Sequence, residues 1–199
     1  SYTYTDPTFT TASPVFPASC TTSWSPRCRI VINYVQHIQP LWDKPRQVLD
    51  GMGMVIADNT CSRAGCHAPT NAANMAMIPA GQLDLTAVPS DDQQLQLRSY
   101  RELFFTDTQQ EVIMGALQDV PGPLDANGQP TPGPTVGPYL NGGSANGGRS
   151  NAFLARFATG SGSTHATYLS PAELRLLSEW LDIGAQYFNN PFDPAVPVN

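Results

Sequence analysis

Residues 61–67 read CSRAGCH, and this stretch decides which fold and which chemistry are expected of the chain. Two thiols followed directly by an imidazole are the groups that covalent haem attachment needs: the thiols bond to the two vinyl groups and the histidine binds the iron. The usual spacer between the cysteines has two residues, whereas four separate Cys61 from Cys66. The two extra residues add about 7 Å of chain at most, and Gly65 permits a tight turn. The motif predicts one covalently bound haem with His67 on the iron.

Two other interpretations of the same residues remain open. Cys61 and Cys66 are close enough in sequence to form a disulfide, with His67 incidental. A zinc site is the second alternative, although structural zinc takes four ligands. No second C-x-x-C pair or H-x-x-x-H pair completes such a set elsewhere in the sequence.

The other two cysteines, Cys20 and Cys28, predict a disulfide, because the sequence has the character of an exported protein. Residues 1–28 are rich in Ser, Thr and Pro and predict an extended lead-in closed by that disulfide, followed by one domain over residues 29–199. The N-terminus has neither the features of a signal peptide nor an initiator Met, so we interpret the chain as a mature or excised piece of a larger exported protein.

Charge and hydropathy argue against two classes of partner. Ten Lys and Arg against 16 Asp and Glu give a formal net charge of −6, with no basic stripe to neutralise phosphates, so nucleic acid is not expected as a partner. No run of about 18 apolar residues occurs, so no membrane span is expected.

The local signals predict a mostly α fold in which short helices are joined by long Pro/Gly-rich loops. Apolar residues at helical spacing predict a first helix over residues 29–42. Ser99 with Glu102 and Thr108 with Glu111 have capping-box spacing, and each predicts a short helix, the second running through residues 112–117. Residues 121–148 predict a surface loop.

The last helix has the most complete signature. Ser170 is the expected N-cap, Pro171 the first helical residue and Glu173 the partner in a capping box, with Leu169 and Leu174 as a hydrophobic staple. These signals predict that the helix begins at residue 171.

Together, INYVQHIQPLW, the Cys/Cys-His motif, PAGQLDL and LSPAELRLLSEWLDIGAQYFNNPFD resemble the C-terminal single-haem cytochrome domains of secreted multimodular bacterial proteins. Relatives of that kind include proteins similar to the hydrazine synthase alpha subunit and redox modules of oxidative polysaccharide breakdown. The resemblance spans about residues 29–195. It implies a cytochrome c-like fold, with the helices near residues 30, 109 and 171 around one haem c, and a secreted, periplasmic or cell-surface location. The four-residue spacer departs from the family's usual pattern.

The second axial ligand decides between electron transfer and chemistry at an open iron. In the family that the chain resembles, the distal ligand comes from a loop just before the last helix, and His165 occupies that place. We therefore predict His165 as the second iron ligand. Met75, Met77 and Met114 remain rival thioether ligands, and His37 is expected to be a hydrogen-bonded core histidine.

Supporting roles around the haem are predicted for four further residues. The Pro79 carbonyl is expected to accept the His67 Nδ1 proton and orient the ring. Arg63, Arg98 and Arg149 are candidates to neutralise haem propionates.

We therefore expect single-electron transfer to or from a partner redox protein, with a secreted polysaccharide-oxidising enzyme as the candidate partner. One alternative is a small peroxidase-like haem enzyme with an open iron site. The other is a polysaccharide-binding module with Trp24, Tyr139 and Tyr168 as exposed sugar platforms.

Overall fold

The computed structural model describes residues 11, 14, 18–25, 28, 30–142 and 148–188. The chain divides into two units, one made of Ser1–Lys44 with Asn141–Asn199 and the other of Pro45–Leu140. The boundary predicted at residue 28 stays a prediction. Most of the predicted lead-in lies outside the described residues, but Cys20 and Cys28 are described and form the predicted disulfide, with their Cα atoms 5.5 Å apart.

The first unit is built from helices. A 3-10 turn covers Ala18–Thr21, and a π-helical turn over Tyr34–Ile38 continues into α1, Gln39–Asp43. Helices α3, Gly148–Ala155, and α4, Pro171–Asp182, complete the unit. Its buried apolar side chains include Ile32, Tyr34, Ile38, Leu41, Trp42, Phe153, Phe157, Leu169, Leu176, Leu177, Trp180 and Leu181.

Helix α4 begins where the sequence predicts. The Ser170 side chain accepts a hydrogen bond from the Glu173 backbone N–H, and Glu173 Oε2 accepts one from the Ser170 N–H at 2.8 Å. Both halves of the capping box are therefore present, with Pro171 at the first helical position.

The second unit contains short antiparallel strands. Strands β1, Gln47–Leu49, and β2, Val55–Asp58, form one hairpin. After a 3-10 turn over Ala80–Gln82 comes α2, Arg98–Phe104. Strand β3, Asp107–Thr108, pairs with β6, Thr135–Val136, while β4, Gln110–Ile113, pairs with β5, Ala116–Asp119.

The expected mostly α fold is wrong, and with it the cytochrome c-like arrangement of helices. Among the described residues, 26% are helical and 16% are in strands, which is a mixed α/β composition. The helix predicted near residue 109 is instead the β4–β5 hairpin. Met114 and Gly115 form its turn with φ of 50° and 80°, and two consecutive positive φ angles suit a tight hairpin rather than a helix.

Other helix boundaries also differ. The first helix begins at Tyr34, capped by Asn33, rather than at residue 29. Helix α2 exists as predicted, but Leu97 occupies its N-cap and Ser99 is buried inside the helix. Residues 121–142 are mostly irregular, as expected, whereas residues 143–147 lie outside the described part of the chain. Within the described ranges, no helix has the length and apolar character to cross a bilayer.

Candidate haem-attachment site

Residues 61–67 form a loop that is closed by its own main chain. The His67 N–H donates to the Cys61 carbonyl at 3.1 Å, and the Cys66 N–H donates to the Arg63 carbonyl at 3.1 Å. Gly65 has a φ of +84°, in the left-handed region that glycine adopts without strain. The four-residue spacer is therefore accommodated by a tight turn around Gly65.

The two cysteines of this loop are thiols. Cys61 is buried and Cys66 is half-buried, and no disulfide joins them, unlike Cys20 and Cys28. The alternative disulfide between Cys61 and Cys66 is therefore not present in the structure. Across the residues that the structure describes, no three His, Cys, Asp or Glu side chains gather in a group able to hold a metal ion.

A hydrogen bond to the main chain orients the ring of His67. Its Nδ1 lies 3.0 Å from the Leu83 carbonyl oxygen. Because a carbonyl only accepts, Nδ1 carries the proton, and ligation is directed to Nε2. The predicted acceptor, Pro79, is wrong: its carbonyl accepts from the Gln82 N–H at 2.7 Å.

The segment that contains Leu83 is hydrogen-bonded to the attachment loop on both sides of Leu83. The Ala80 N–H donates to the Cys66 carbonyl and the Leu85 N–H donates to the His67 carbonyl, each at 2.8 Å. Leu83 and Leu85 are buried. These contacts hold the acceptor of the His67 proton in place.

Arg63, inside the loop, has a buried side-chain donor that is not hydrogen-bonded. Its Nη1 donates to the Ala64 carbonyl at 3.1 Å, but its Nε is buried with no acceptor among the described residues. A carboxylate such as a haem propionate is an acceptor of the right kind. The other predicted candidates are less suited, because Arg98 bonds to Asp84 and Asp91 and Arg149 lies exposed at the start of α3.

Apolar side chains are exposed on both sides of the attachment loop in the sequence. The base of the β1–β2 hairpin lies next to the loop, because the Arg46 N–H donates to Thr60 Oγ1 at 3.1 Å. The exposed apolar residues of this hairpin and of the chain after the loop are Val48, Leu49, Met52, Met54, Val55, Ile56, Met75 and Ile78. Exposed apolar side chains close to one another in the sequence are candidates to contact another apolar group.

The predicted second ligand, His165, lies in the other unit. Its Nδ1 is 3.4 Å from both Ser163 Oγ and Thr164 Oγ1, and its ring makes edge contacts with Phe157 and Tyr168. The loop around it contains a hydrogen-bonded turn, with the Tyr168 N–H donating to the His165 carbonyl at 3.0 Å.

The electrostatic setting of His165 favours the neutral ring. Burial, with a smaller contribution from the charge of Arg156, lowers the pKa of this imidazole. A neutral imidazole is the form that ligates a metal.

The rival ligands have clear positions. His37 is buried, and its Nδ1 lies 2.8 Å from the Asn33 nitrogen, as expected of a core histidine. Burial lowers its pKa, partly opposed by the hydrogen bond to Asn33. Met114 is fully exposed at the tip of the β4–β5 hairpin, Met75 is exposed and Met77 is half-buried.

A polar cavity that the sequence did not indicate lies in the second unit, with a volume of about 390 Å³. Pro69 and Pro79, which both follow the attachment loop in the sequence, line this cavity together with Glu102 on α2. Burial, and then the negative charges of Asp107 and Asp84, raise the pKa of Glu102 to about 8. Its sequence spacing from Ser99 had suggested a capping role, so no local signal marked it as a cavity residue.

Of the three predicted sugar platforms, Trp24 is exposed. Tyr139 and Tyr168 are half-buried rather than exposed, and the Tyr139 hydroxyl donates to the Gly81 carbonyl. The structure therefore does not present these three rings as equally exposed platforms.

Comparisons with protein-family models, with curated proteins and with solved structures find no match. The functional argument accordingly depends on the geometry of the attachment loop and its surroundings.

Proposed function

We propose that this chain binds one haem c, through thioether bonds to Cys61 and Cys66, and transfers single electrons. His67 is the proposed iron ligand, and His165 is the proposed second ligand. The observation that carries the proposal is the hydrogen bond of 3.0 Å from His67 Nδ1 to the Leu83 carbonyl. Such a bond is the usual way in which a protein fixes the orientation of a ligating imidazole.

The chemistry of attachment suits two thiols. Each S–H adds across one vinyl group, so that a carbon–sulfur bond forms and the hydrogen goes to the other vinyl carbon, with nothing lost. The thiol state of Cys61 and Cys66 is the state that this addition needs. Arg63 would supply a donor to a propionate, since its buried Nε has no acceptor among the described residues.

When bound, haem supplies a one-electron couple between ferric and ferrous iron. In this chain, His67 would hold the iron in one orientation, and the exposed apolar residues around the loop would cover the macrocycle. His165 would be the second residue to hold the iron, and its ligation would leave no open site for peroxide. The peroxidase-like alternative requires that position to be open.

The proposed partner is a redox protein, with a secreted polysaccharide-oxidising enzyme as the candidate. The Cys20–Cys28 disulfide supports an oxidising location, whether secreted, periplasmic or at the cell surface. A formal charge of −6 disfavours nucleic acid as a partner. We further propose that the chain works as part of a larger multimodular protein.

The test is mass spectrometry of the denatured protein after expression with a c-type maturation system. We expect the mass of the chain plus one haem, and a pyridine haemochrome typical of two thioethers. Cys66→Ser should lower haem loading sharply, and Cys61→Ser should leave one thioether.

Cys20→Ser with Cys28→Ser is the matched control, because it removes two thiols away from the loop. This variant should keep its haem and lose only stability, by about 2 kcal/mol. A mass equal to that of the bare chain in the parent would disprove the proposal.

A further inference from the structure

Two arginines of α2 line the cavity of the second unit, and their guanidinium groups differ in their partners. Arg98 Nη2 lies 2.7 Å from Asp91 and its Nη1 lies 3.4 Å from Asp84, so two carboxylates hold this side chain. Arg101, in contrast, has a buried Nε with no acceptor among the described residues. Its Nη2 is 3.8 Å from the exposed carboxylate of Asp92, which is too long for a hydrogen bond. Arg101 therefore has donors left for a ligand.

The guanidinium group of Arg101 is held in a fixed orientation. Its Cζ lies 3.9 Å from the ring centroid of Phe105, which follows four residues later in the chain. A guanidinium group can donate two parallel N–H bonds to the two oxygens of one carboxylate. A planar group that is already oriented loses little freedom when it makes those bonds. Arg101 is thus suited to bind the carboxylate of a ligand.

The carboxyl groups of the cavity outnumber its two arginines. Six acidic side chains line it, namely Asp84, Asp91, Asp92, Glu102, Asp107 and Asp119. Among the described residues, neither Asp107 nor Asp119 forms an ion pair with a basic side chain. A ligand with only a negative charge would be repelled by these carboxylates, whereas a ligand that also has a positive group would be attracted. The charges of the cavity therefore favour a zwitterion.

The cavity has the size and the walls of a site for a small molecule. Its volume of about 390 Å³ lies within the usual range for small-molecule pockets. Gln82 connects two of its walls, since its Nε2 donates to the Thr108 carbonyl at 2.7 Å and its Oε1 accepts from the Gln110 N–H at 2.8 Å. The apolar residues that line the cavity are Pro69, Pro79, Phe105 and Leu117. These residues can contact an apolar part of the ligand.

We propose that this cavity binds a free α-amino acid with an apolar side chain, with its carboxylate at Arg101 and its ammonium group at Asp107 and Asp119. Binding is reversible and makes no covalent bond. It is a function in addition to electron transfer. None of the residues that carry this proposal lies within the attachment loop, residues 61–67, so amino-acid binding and haem attachment can be tested separately.

The experiment is a nuclear magnetic resonance titration of the full 199-residue chain with three probes of matched shape. The first is L-leucine. The second, 4-methylpentanoate, lacks the ammonium group of leucine, and the third, 3-methylbutylamine, lacks its carboxylate. Leucine should shift the backbone amide signals of cavity residues such as Gln110. The other two probes should bind at least about tenfold more weakly, because each loses one set of charge-assisted hydrogen bonds.

Variants assign the two ends of the ligand. Arg101→Met should weaken leucine binding at least about tenfold and leave 3-methylbutylamine binding unchanged. Arg101→Lys keeps the charge but loses the two parallel donors, so it should also weaken leucine binding, and it replaces the Met variant if that fails to fold. Asp107→Asn combined with Asp119→Asn should reduce leucine to the affinity of 4-methylpentanoate. Arg175→Met, on α4 in the other unit, is the matched control and should bind leucine like the parent.

Three results would overturn the proposal. Equal affinities for leucine and 3-methylbutylamine would mean that the cavity takes any organic cation, and equal affinities for leucine and 4-methylpentanoate would mean that it takes any carboxylate. Cavity amide signals that stay unchanged up to the solubility limit of leucine would exclude binding altogether. A parent chain that binds leucine but has no haem after maturation would contradict the proposed function alone.

Discussion

Lys44 and Glu173 form an ion pair in which Nζ lies 2.9 Å from Oε1, with the Glu173 side chain fully buried. Replacing Lys44 by Met leaves that carboxylate buried without its cation, which should cost about 3 kcal/mol of unfolding free energy. Adding Glu173→Gln to Lys44→Met should recover much of the loss, because the amide oxygen still accepts the Ser170 N–H. Urea denaturation measures both changes.

Arg175→Met is the control for this prediction. Arg175 and Glu179 form an exposed pair one helical turn apart, with 3.0 Å between Nε and Oε1. Its removal should change stability by less than about 0.5 kcal/mol. Similar losses for Lys44→Met and Arg175→Met would contradict a special role for the buried pair.

The conformation of the Met114–Gly115 turn leads us to expect that asparagine at residue 114 would be more stable than methionine. Both residues have positive φ, and asparagine tolerates this conformation better than methionine. Met114→Asn should raise stability by about 0.5 kcal/mol, whereas Gly115→Ala should lower it by about 1 kcal/mol. Nothing lies within 4 Å of a Cβ placed at Gly115, so that loss would be purely conformational. Thermal melts that show no difference between the two variants would argue against the turn.

The raised pKa of Glu102 makes stability depend on pH. The pKa is about 8 in the folded chain against an ordinary value of 4.5, so folding favours the protonated acid. The stability that this provides is fully present below pH 4.5 and is lost as pH rises towards 8. Glu102→Gln should therefore match the parent at pH 4 and exceed its unfolding free energy by about 2 kcal/mol at pH 8.5. Parallel stability profiles for the two proteins would rule out the raised pKa.

The proposed role of His165 predicts a change of spin state. With two imidazoles on the iron, the ferric spectrum should be low-spin and lack the weak sulfur-to-iron band of a methionine-ligated haem. His165→Ala should give high-spin iron that binds carbon monoxide readily. Met75→Leu, Met77→Leu and Met114→Asn should leave the spectrum unchanged.

Two results would reassign the second ligand. A sulfur band in the parent that disappears in one methionine variant would transfer ligation to that methionine. Rapid carbon monoxide binding by the parent would instead indicate an open iron and favour the peroxidase-like alternative.

Local signals predicted some elements well and others wrongly. Helix α4 was predicted because its start depends on Ser170, Pro171 and Glu173, which lie within four residues of one another. The capping-box spacing of Thr108 and Glu111 was equally local, yet these residues belong to β3 and β4. In this hairpin the β-branched Val112 pairs with Leu117 on the opposite strand, across a two-residue turn. A helix over the same residues would contain Gly115, which disfavours helix formation.

The sequence alone determined the chemistry-bearing groups, namely the thiols of Cys61 and Cys66, the adjacent His67 and the separate Cys20–Cys28 pair, because motif and spacing are properties of neighbouring residues. The tertiary structure alone decided their surroundings. The acceptor of the His67 proton is the Leu83 carbonyl, sixteen residues away. Hydrogen bonds between distant segments depend on how the chain packs, so no local pattern reveals which carbonyl or carboxylate a side chain meets.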